Sequence, residues 1–535
     1  MNKYALIALS ASGGMVSGLA WTSWCSGLVL LFSFVPFLWI ENYFCENPGE
    51  YSSASLFFYL FPGFAIFNII TLAWIRVASI PAVIFIVTGL SFLMSFILWL
   101  AHLIRVKTGR LVGSLALISF WLAFEYLSLN TTYLSPWINL GNGLAKDILF
   151  IQWYDATGVA GGSLWILCSN LLLMLLIEDI AAGRKKSKLL PGIWILVIII
   201  PSAVSLIRFK TIEVTGNSKT EVVIIQPNSD PYTEKFTVPF EIQLNDALRL
   251  AEQNITEETD WVISPETTVD DPVSEEYVGE NKYVMMVRQF AKKHPGTCIV
   301  IGMVSSVKDS TMSFGLAANA DTADHVLKYY NSAFRIDTGA RPDIYHKSKL
   351  VAGIEMQLFS GLQQLLDRML PGFGNNNRGY DTQEERICFE HQDNKLKIAP
   401  VICYESVFGN YVTDYVRNGA EVLFIITNDG WWKNTDGYRQ HLSYASLRAI
   451  ETRRQVARSA NTGISCIIDI RGRRTIESEW WTEAVIRGDL YPENRITVYV
   501  KYGDYIMLIA SFVSIFILTV VFIIIPVRRK LTIAK

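Results

Sequence analysis

Long apolar runs crowd the first two hundred residues of this chain, and one more closes it. They lie near 4–21, 22–40, 55–75, 79–104, 111–129, 159–179, 190–207 and 505–527. Each approaches or exceeds the roughly 20 residues that a helix needs to cross a bilayer. The pattern predicts about eight transmembrane helices: seven in an N-terminal membrane domain over 1–210 and one at 505–527. The first run, with Lys3 ahead of it, also has the shape of a signal peptide but shows no convincing cleavage site, so its removal is left open. From Glu221 onward the pattern changes. "EVVIIQPN", "DWVISPE", "CIVIGMVSS", "NSAFRID", "KIAPVICYE", "EVLFIITND" and "SCIIDI" read as strands rich in Val and Ile. Amphipathic stretches of helical length, such as 238–253, 276–294 and 437–456, lie between several of them. Strands alternating with helices predict a single α/β domain over 217–500.

Charge orients the chain. Arg105, Lys107 and Arg110 form one basic cluster between apolar runs, Arg184, Lys185, Lys186 and Lys188 a second, and Arg528, Arg529 and Lys530 a third. An eight-helix count puts all three on one side, which the positive-inside rule makes the cytoplasm. The loop around Glu41, Glu46 and Glu50 falls on that side too, but acidic residues contribute little to the rule. The α/β domain is therefore expected outside the cytoplasm. With 51% hydrophobic and only 18% charged residues, the chain is far from the roughly 25% charge of a soluble protein. The net charge of −2 says nothing about nucleic acid, and no basic stripe suggests it, so no nucleic-acid partner is expected. Seven cysteines contain no CxxC spacing, so neither a zinc site nor any other metal or cofactor is expected. Cys298 and Cys466 sit in strand-like runs and read as buried free thiols, although an exported domain permits disulfides. Glu125, in "SFWLAFEYLSL", is either a functional intramembrane carboxylate or a solvated one near the interface.

Three strand-like runs end on residues with chemistry. Glu266 ends "WVISPE", Lys347 ends "DIYHK", and Cys403 ends "APVIC". Taken singly they are a water-facing carboxylate, a solvated lysine and a core thiol. Taken together they are a base, a cation and a nucleophile, the minimum set for acyl transfer through a thioester.

The blocks "SPETT", "YNSAFRIDTG", "YHKSKLVAGIE", "PVICYES" and "TNDGWW", in that order, resemble the carbon–nitrogen hydrolase (nitrilase) superfamily. Set between seven membrane segments and one, they make the whole chain similar to the membrane-embedded acyltransferase branch of that superfamily. The resemblance implies a four-layer α-β-β-α sandwich with a catalytic triad of Glu266, Lys347 and Cys403. It adds Glu355 and Glu405 as supporting carboxylates, and the amide of Tyr404 follows as a second oxyanion donor. One departure is Ala352, where family members often carry proline after "LV". The implied activity moves an acyl chain from a phospholipid, through the cysteine thioester, to the N-terminal amine of a diacylglyceryl-cysteine on an apolipoprotein. The implied setting is the bacterial inner membrane, with a monomer whose catalytic domain faces the periplasm.

Other residues keep two readings. Glu355 either orients Lys347 or pairs with Arg368, and Glu405 either supports the triad or is a helix N-cap partner. Trp431 and Trp432 either wall an acyl pocket or pack under a loop. His441 with Arg448, Glu451 and Arg453 reads as a helix face with ion pairs and carries no chemistry. After Glu355, "MQLFSGLQQLLDRML" places Leu358, Leu362, Leu365, Leu366, Met369 and Leu370 on one helical face. Such a helix, followed by the loop "PGFGNNNRG", would lie on the bilayer as a lid. Two competing functions remain: a membrane-tethered amidase or nitrilase acting on small amides, and a transporter with an extracytoplasmic sensing domain, for which Glu125 is the only support.

Overall fold

The computed structural model describes residues 1–131, 134–181, 189–216, 218–308, 327–352, 354–356 and 379–526. The chain forms two compact units: Met1–Ile212 with Thr435–Leu447 and Lys501–Lys535, and Glu213–Asn434 with Arg448–Val500.

In the first unit, helices stand where the eight apolar runs lie. Seven of them are long and apolar enough to cross a membrane: Gly27–Glu46, Ser53–Val77, Ile80–Thr108, Arg110–Asn130, Tyr154–Ala181, Leu189–Thr211 and Tyr505–Ile524. The first helix, Lys3–Leu19, has only 17 residues. At 1.5 Å per residue it spans about 26 Å, short of a hydrocarbon core of roughly 30 Å. Among the described residues the eight apolar runs thus give eight helices, the first at the lower end of the length that can span a bilayer. Its small residues let it approach Ser53–Val77 closely: a Cβ on Gly14 would lie 1.9 Å from the Gly63 carbonyl oxygen. Ion pairs tie helix ends together. Arg105 pairs with Glu41 and Arg110 with Glu178 at one end of the unit, while Arg208 pairs with Asp155 at the other. Arg105 thus shares a side with the acidic end of Gly27–Glu46. The basic clusters at 184–188 and 528–530 lie outside the described residues.

The helix Asp436–Thr452 corrects the sequence reading in one respect. Its first part belongs to the helical unit and not to the α/β domain. Gln440 Nε2 donates to the carbonyls of Trp21 (3.0 Å) and Thr71 (3.2 Å), and Trp137 Nε1 donates to Gln440 Oε1 (2.6 Å). Tyr444 donates to the Trp137 carbonyl (2.7 Å), and His441 stacks on the Trp137 ring. Buried indole and carbonyl groups need partners, and this segment supplies them. The second part carries the expected ion pair in a buried setting: Arg448 and Glu451, with Arg453 just beyond the helix, are all buried. Arg448 pairs with Glu451 at 2.9 Å, and Arg453 Nη1 donates to the Ile470 carbonyl at 2.9 Å.

The α/β unit holds thirteen described strands: β1 (Thr220–Gln226), β2 (Thr259–Ile263), β3 (Val269–Ser274), β4 (Cys298–Lys308), β5 (Leu327–Ile336), β6 (Asp343–His346), β7 (Phe389–Glu390), β8 (Lys397–Ile402), β9 (Val422–Thr427), β10 (Val456–Ala460), β11 (Cys466–Ile468), β12 (Arg474–Glu477) and β13 (Ala484–Leu490). One sheet runs β13-β1-β2-β4-β5-β6 with β3 also paired to β4, and the other runs β12-β11-β10-β9-β8-β7. β1, β2 and β4 are parallel, and β6 runs with them because β5 is antiparallel to both of its neighbours. In the second sheet β8, β9 and β10 are parallel. Helices Phe240–Glu252 and Lys282–Lys293 cover the first sheet, where Leu244, Val284 and Val287 join Val223, Val262 and Ile299 in one core. Helix Gly409–Arg417 packs on β8. Trp261 of β2 meets Phe424 of β9 edge to face with centroids 5.4 Å apart, so the sheets face each other. The layers are α-β-β-α. All seven cysteines are free, with Cys298 and Cys466 buried.

Candidate active site

Parallel strands deliver their following residues to a common edge, the usual place for ligands in open α/β sheets. Glu266 lies three residues beyond β2 and Lys347 directly beyond β6, which run the same way. Cys403 lies directly beyond β8, and Asp429 two residues beyond β9. The Lys347 amide donates to the Asn331 carbonyl at 2.8 Å, extending the β5–β6 pairing by one residue.

That extension brings Lys347 Nζ to Glu266 Oε1 and to Glu355 Oε1, both at 2.8 Å. Asn331 Nδ2 donates to the same two oxygens, at 2.8 and 3.0 Å. The Cys403 thiol donates to the Glu266 carboxylate, and the Thr427 hydroxyl reaches the sulfur. All three groups are buried: Lys347 is 1% exposed, Glu266 6% and Cys403 8%.

Backbone strain marks the same place. Cys403 has φ +48° and Thr267, next to Glu266, has φ +47°. A non-glycine residue held there costs about 1–3 kcal/mol and persists only when its surroundings fix it. Around Cys403, Glu405 Oε2 accepts from the Ile402 amide (2.8 Å) and Ser406 Oγ donates to the Cys403 carbonyl (2.7 Å). Arg448 Nη1 holds the carbonyls of Ser406 (3.1 Å) and Val407 (2.8 Å). Behind Glu266, a Cβ on Gly302 would come 2.5 Å from the Thr267 nitrogen and 2.6 Å from the Glu266 Cα. Only glycine lets β4 approach the glutamate's backbone so closely.

The charges set a resting state. Burial pushes the Glu266 carboxyl up, but the Lys347 ammonium, with the bonds from Lys347, Asn331 and Cys403, holds it below its ordinary value. Burial likewise disfavours the Lys347 ammonium, yet Glu266, Glu355 and Cys403 raise it well above the usual lysine value. Burial and the Glu266 charge drive the Cys403 thiol well above its ordinary value, and Lys347 only partly opposes them. At rest the site holds a carboxylate, an ammonium and a neutral thiol.

The supporting residues separate. Glu355 Oε2 also accepts from the Val351 amide at 2.9 Å, and Ala352 bridges to Met356, closing the loop without proline. Arg368, the apolar stripe from Leu358 to Leu370 and the loop after it lie outside the described residues. None of the bonds of Glu405 goes to Glu266, Lys347 or Cys403. Its Oε1 accepts from the Ser348 amide (2.7 Å), Tyr345 (2.7 Å) and Tyr411 (2.8 Å), so it pins the lysine's strand to the cysteine's turn. Tyr404 packs its ring edge-on to Phe408 at 5.1 Å. Trp431 is 37% exposed among the rings of Tyr232 (5.6 Å) and Phe236 (6.1 Å), while Trp432 is half-buried. Glu125 is not solvated: it is 1% exposed, and Oε1 accepts from the Leu140 amide (2.7 Å) and Trp121 Nε1 (3.2 Å).

Sequence reasoning missed four groups. Asn331 bridges the two carboxylates, and Thr427 donates to Asp429 Oδ1 (2.9 Å), which is paired with buried Arg458 (2.5 Å). Lys235, 4% exposed, donates to Thr267 Oγ1 at 2.6 Å. The available signal was a polar residue at the end of a buried strand in "ITNDG"; Asn331, in the middle of β5, and Lys235 had none. In the helical unit, donor atoms of Glu41, Cys45 and His102 lie within 4.8 Å of one another. Arg105 already pairs with that glutamate and His102 Nδ1 bonds it at 2.9 Å, so the set is a satisfied ion-pair network and disfavours a cation.

A buried Glu-Lys-Cys cluster at the strand ends of an α-β-β-α domain, in a chain with seven membrane-length helices, defines a membrane enzyme of the carbon–nitrogen hydrolase class. Residues 274–497 match the carbon-nitrogen hydrolase family, and residues 13–172 match the apolipoprotein N-acyltransferase N-terminal domain. The apolipoprotein N-acyltransferase of Chlorobaculum tepidum is 29% identical over 448 residues, 82% of each chain. That of Geobacter metallireducens is 28% identical over 413 residues, covering 75% of this chain and 73% of its own. That of Thermotoga maritima is 24% identical over 526 residues, covering 95% and 93%. Over most of its length the chain is thus similar to apolipoprotein N-acyltransferases.

Proposed function

We propose that this protein moves an acyl chain from a phospholipid, through a thioester on Cys403, to the N-terminal amine of a diacylglyceryl-cysteine on an apolipoprotein. The observation that carries the reading is Glu266, bonded by the Cys403 thiol and by Lys347 in a buried site. Glu266 takes the thiol proton as the sulfur attacks the ester carbonyl. Neutralising Glu266 weakens its hold on Lys347 just as charge develops on the carbonyl oxygen. Lys347 and the Tyr404 amide are the donors we assign to that oxyanion. The bond from the carbonyl carbon to the leaving oxygen breaks, and Glu266 returns its proton to the departing lysophospholipid. In the second half the acceptor amine attacks the thioester, the carbon–sulfur bond breaks, and Glu266 relays a proton from nitrogen to sulfur. The product is an amide, and the kinetics are ping-pong. Glu355 and Asn331 act as positioning residues, because their bonds fix the Lys347 ammonium between two oxygens.

The catalytic domain is taken as 217–500 with 435–447 set apart, acting as a monomer. Arg105, Lys107 and Arg110 support a bacterial cytoplasmic membrane orientation in which this domain faces the periplasm.

The test is intact-mass spectrometry of the full chain after incubation with phospholipid. A hydroxylamine-labile acyl adduct in wild type and Cys466→Ser, absent in Cys403→Ser, is the expected result. No adduct in any variant, with small amides hydrolysed instead, would overturn the reading in favour of a tethered amidase in which water attacks the thioester.

A further inference from the structure

We propose that Lys235 is the phosphate-binding residue of the donor subsite, its ammonium taking the phosphodiester of the phospholipid whose ester is cleaved. The inference rests on the acyltransferase reading above.

Lys235 sits between β1 and helix Phe240–Glu252, with its backbone held in place: its amide donates to the Asp230 carbonyl (2.9 Å), and Gln243 Nε2 donates to its carbonyl (2.9 Å). Its side chain is 4% exposed. An ammonium has three N–H donors. Among the described residues Nζ makes one hydrogen bond, to Thr267 Oγ1, and no ion pair. Two donors of a buried cation are thus left without a partner. Burial pulls the lysine below its ordinary value, and the nearby Asp270 and Glu266 carboxylates offset this only in part and without an ion pair among the described residues, so the two open N–H donors fit an anionic acceptor supplied by a ligand. Its one bond goes to Thr267, next to Glu266, and Asp270, Glu266 and Cys403 are the titratable groups that act on it, so the ligand lies beside the reacting sulfur.

An independent observation gives the ligand's other half. Next to Lys235 in the chain, Phe236 is 54% exposed and packs against Trp431, which is 37% exposed and also meets Tyr232, 44% exposed. Tyr232 donates to the Trp431 carbonyl at 2.7 Å, which fixes the group. Exposed aromatic surface beside an unpaired buried cation matches an amphiphile with an anionic head and an apolar body. The donor answers that description: its phosphate lies a few bonds from its ester carbonyl. The acceptor's α-amine is cationic or neutral and offers the lysine nothing. The carbonyl's own oxyanion is already provided for by Lys347 and the Tyr404 amide, so Lys235 serves the head group and not the reacting carbon.

The test compares two acyl donors with the full-length protein in detergent: phosphatidylglycerol, which carries the phosphodiester, and p-nitrophenyl palmitate, which does not. The rate of thioester formation on Cys403 is read by intact mass for wild type, Lys235→Met and Lys235→Arg. The expected result is that Lys235→Met lowers kcat/KM for phosphatidylglycerol roughly tenfold to a hundredfold, chiefly through KM. Lys235→Arg recovers part of the loss, while with the p-nitrophenyl ester the three proteins differ far less than with phosphatidylglycerol, and their melting temperatures report an intact fold. Equal losses with both donors overturn the inference and put Lys235 at the reacting centre. No loss with either donor overturns it outright. Wild type that forms no thioester on Cys403 from either donor overturns the acyltransferase reading itself, an outcome distinct from the other two.

Discussion

Replacing Glu405 tests whether this carboxylate is architecture or chemistry. It is fully buried and accepts four hydrogen bonds: from the amides of Ile402 and Ser348, and from the hydroxyls of Tyr345 and Tyr411. In Glu405→Gln one acceptor oxygen becomes an NH₂ group. Placed at Oε1 it would oppose three donors; placed at Oε2 it opposes only the Ile402 amide, so the second orientation wins. One buried N–H then loses its partner, at about 1–3 kcal/mol, and the other three bonds lose their charge assistance. A total of about 2–4 kcal/mol is expected. At about 2–4 °C per kcal/mol for a unit of this size, melting in detergent falls by roughly 4–16 °C. Glu405→Leu strands all four donors and is expected to melt far lower or fail to accumulate. Because Glu405 bonds to none of the reacting groups, the Gln variant keeps thioester formation below its melting temperature, slowed only as far as the Cys403 turn loosens. Wild-type melting combined with lost thioester formation would refute this reasoning, since it would make Glu405 an acid–base participant.

The site's electrostatics predict a separation of reactivity from turnover. Burial and the Glu266 charge hold the thiol up, so iodoacetamide alkylation of Cys403 climbs as pH rises above neutrality, and Glu266→Gln makes it faster at any given pH while abolishing acyl transfer; slower alkylation of the variant would contradict the assignment. Glu266 itself has a folded-state value below its unfolded one, so its contacts contribute stability that is present above the ordinary carboxylate range and lost as pH falls through the lowered value. The melting advantage of wild type over Glu266→Gln should therefore shrink as pH falls below about 4, and a gap that widens on acidification would refute it. Gly302→Ala, whose new Cβ would press on the Glu266 Cα at 2.6 Å, is expected to lose most thioester formation with a smaller loss of melting temperature; full activity would show that the glutamate's loop shifts freely.

Much of this architecture was legible because it is periodic. The apolar run at 111–129 became helix Arg110–Asn130, and "EVLFIIT" became β9, buried along its whole length as a parallel strand should be. Glu266, Lys347 and Cys403 could be picked out because each ends such a run. Asn331 could not: its value lies in reaching two carboxylates, 65 and 24 residues away in the chain, which only the β4–β5–β6 pairing brings near. Lys235 reads as an ordinary loop lysine until folding buries it. The helix at 436–452 misled for a related reason. Its spacing suits a helix on an α/β sheet, but Gln440 and Tyr444 answer carbonyl and indole groups of Trp21, Thr71 and Trp137, hundreds of residues earlier.

The protonated Cys403 also bears on how long the enzyme survives between substrates. Peroxides and disulfides attack through the thiolate, and sulfenic, sulfinic and mixed-disulfide products all begin there. A sulfur kept as S–H by its own base, 8% exposed, presents little of that form to solvent. On the oxidising side of a membrane, where the proposed orientation puts it, this would be redox durability without a partner cysteine: under the proposed mechanism the thiolate forms only as an acyl donor is attacked, and idle copies age slowly.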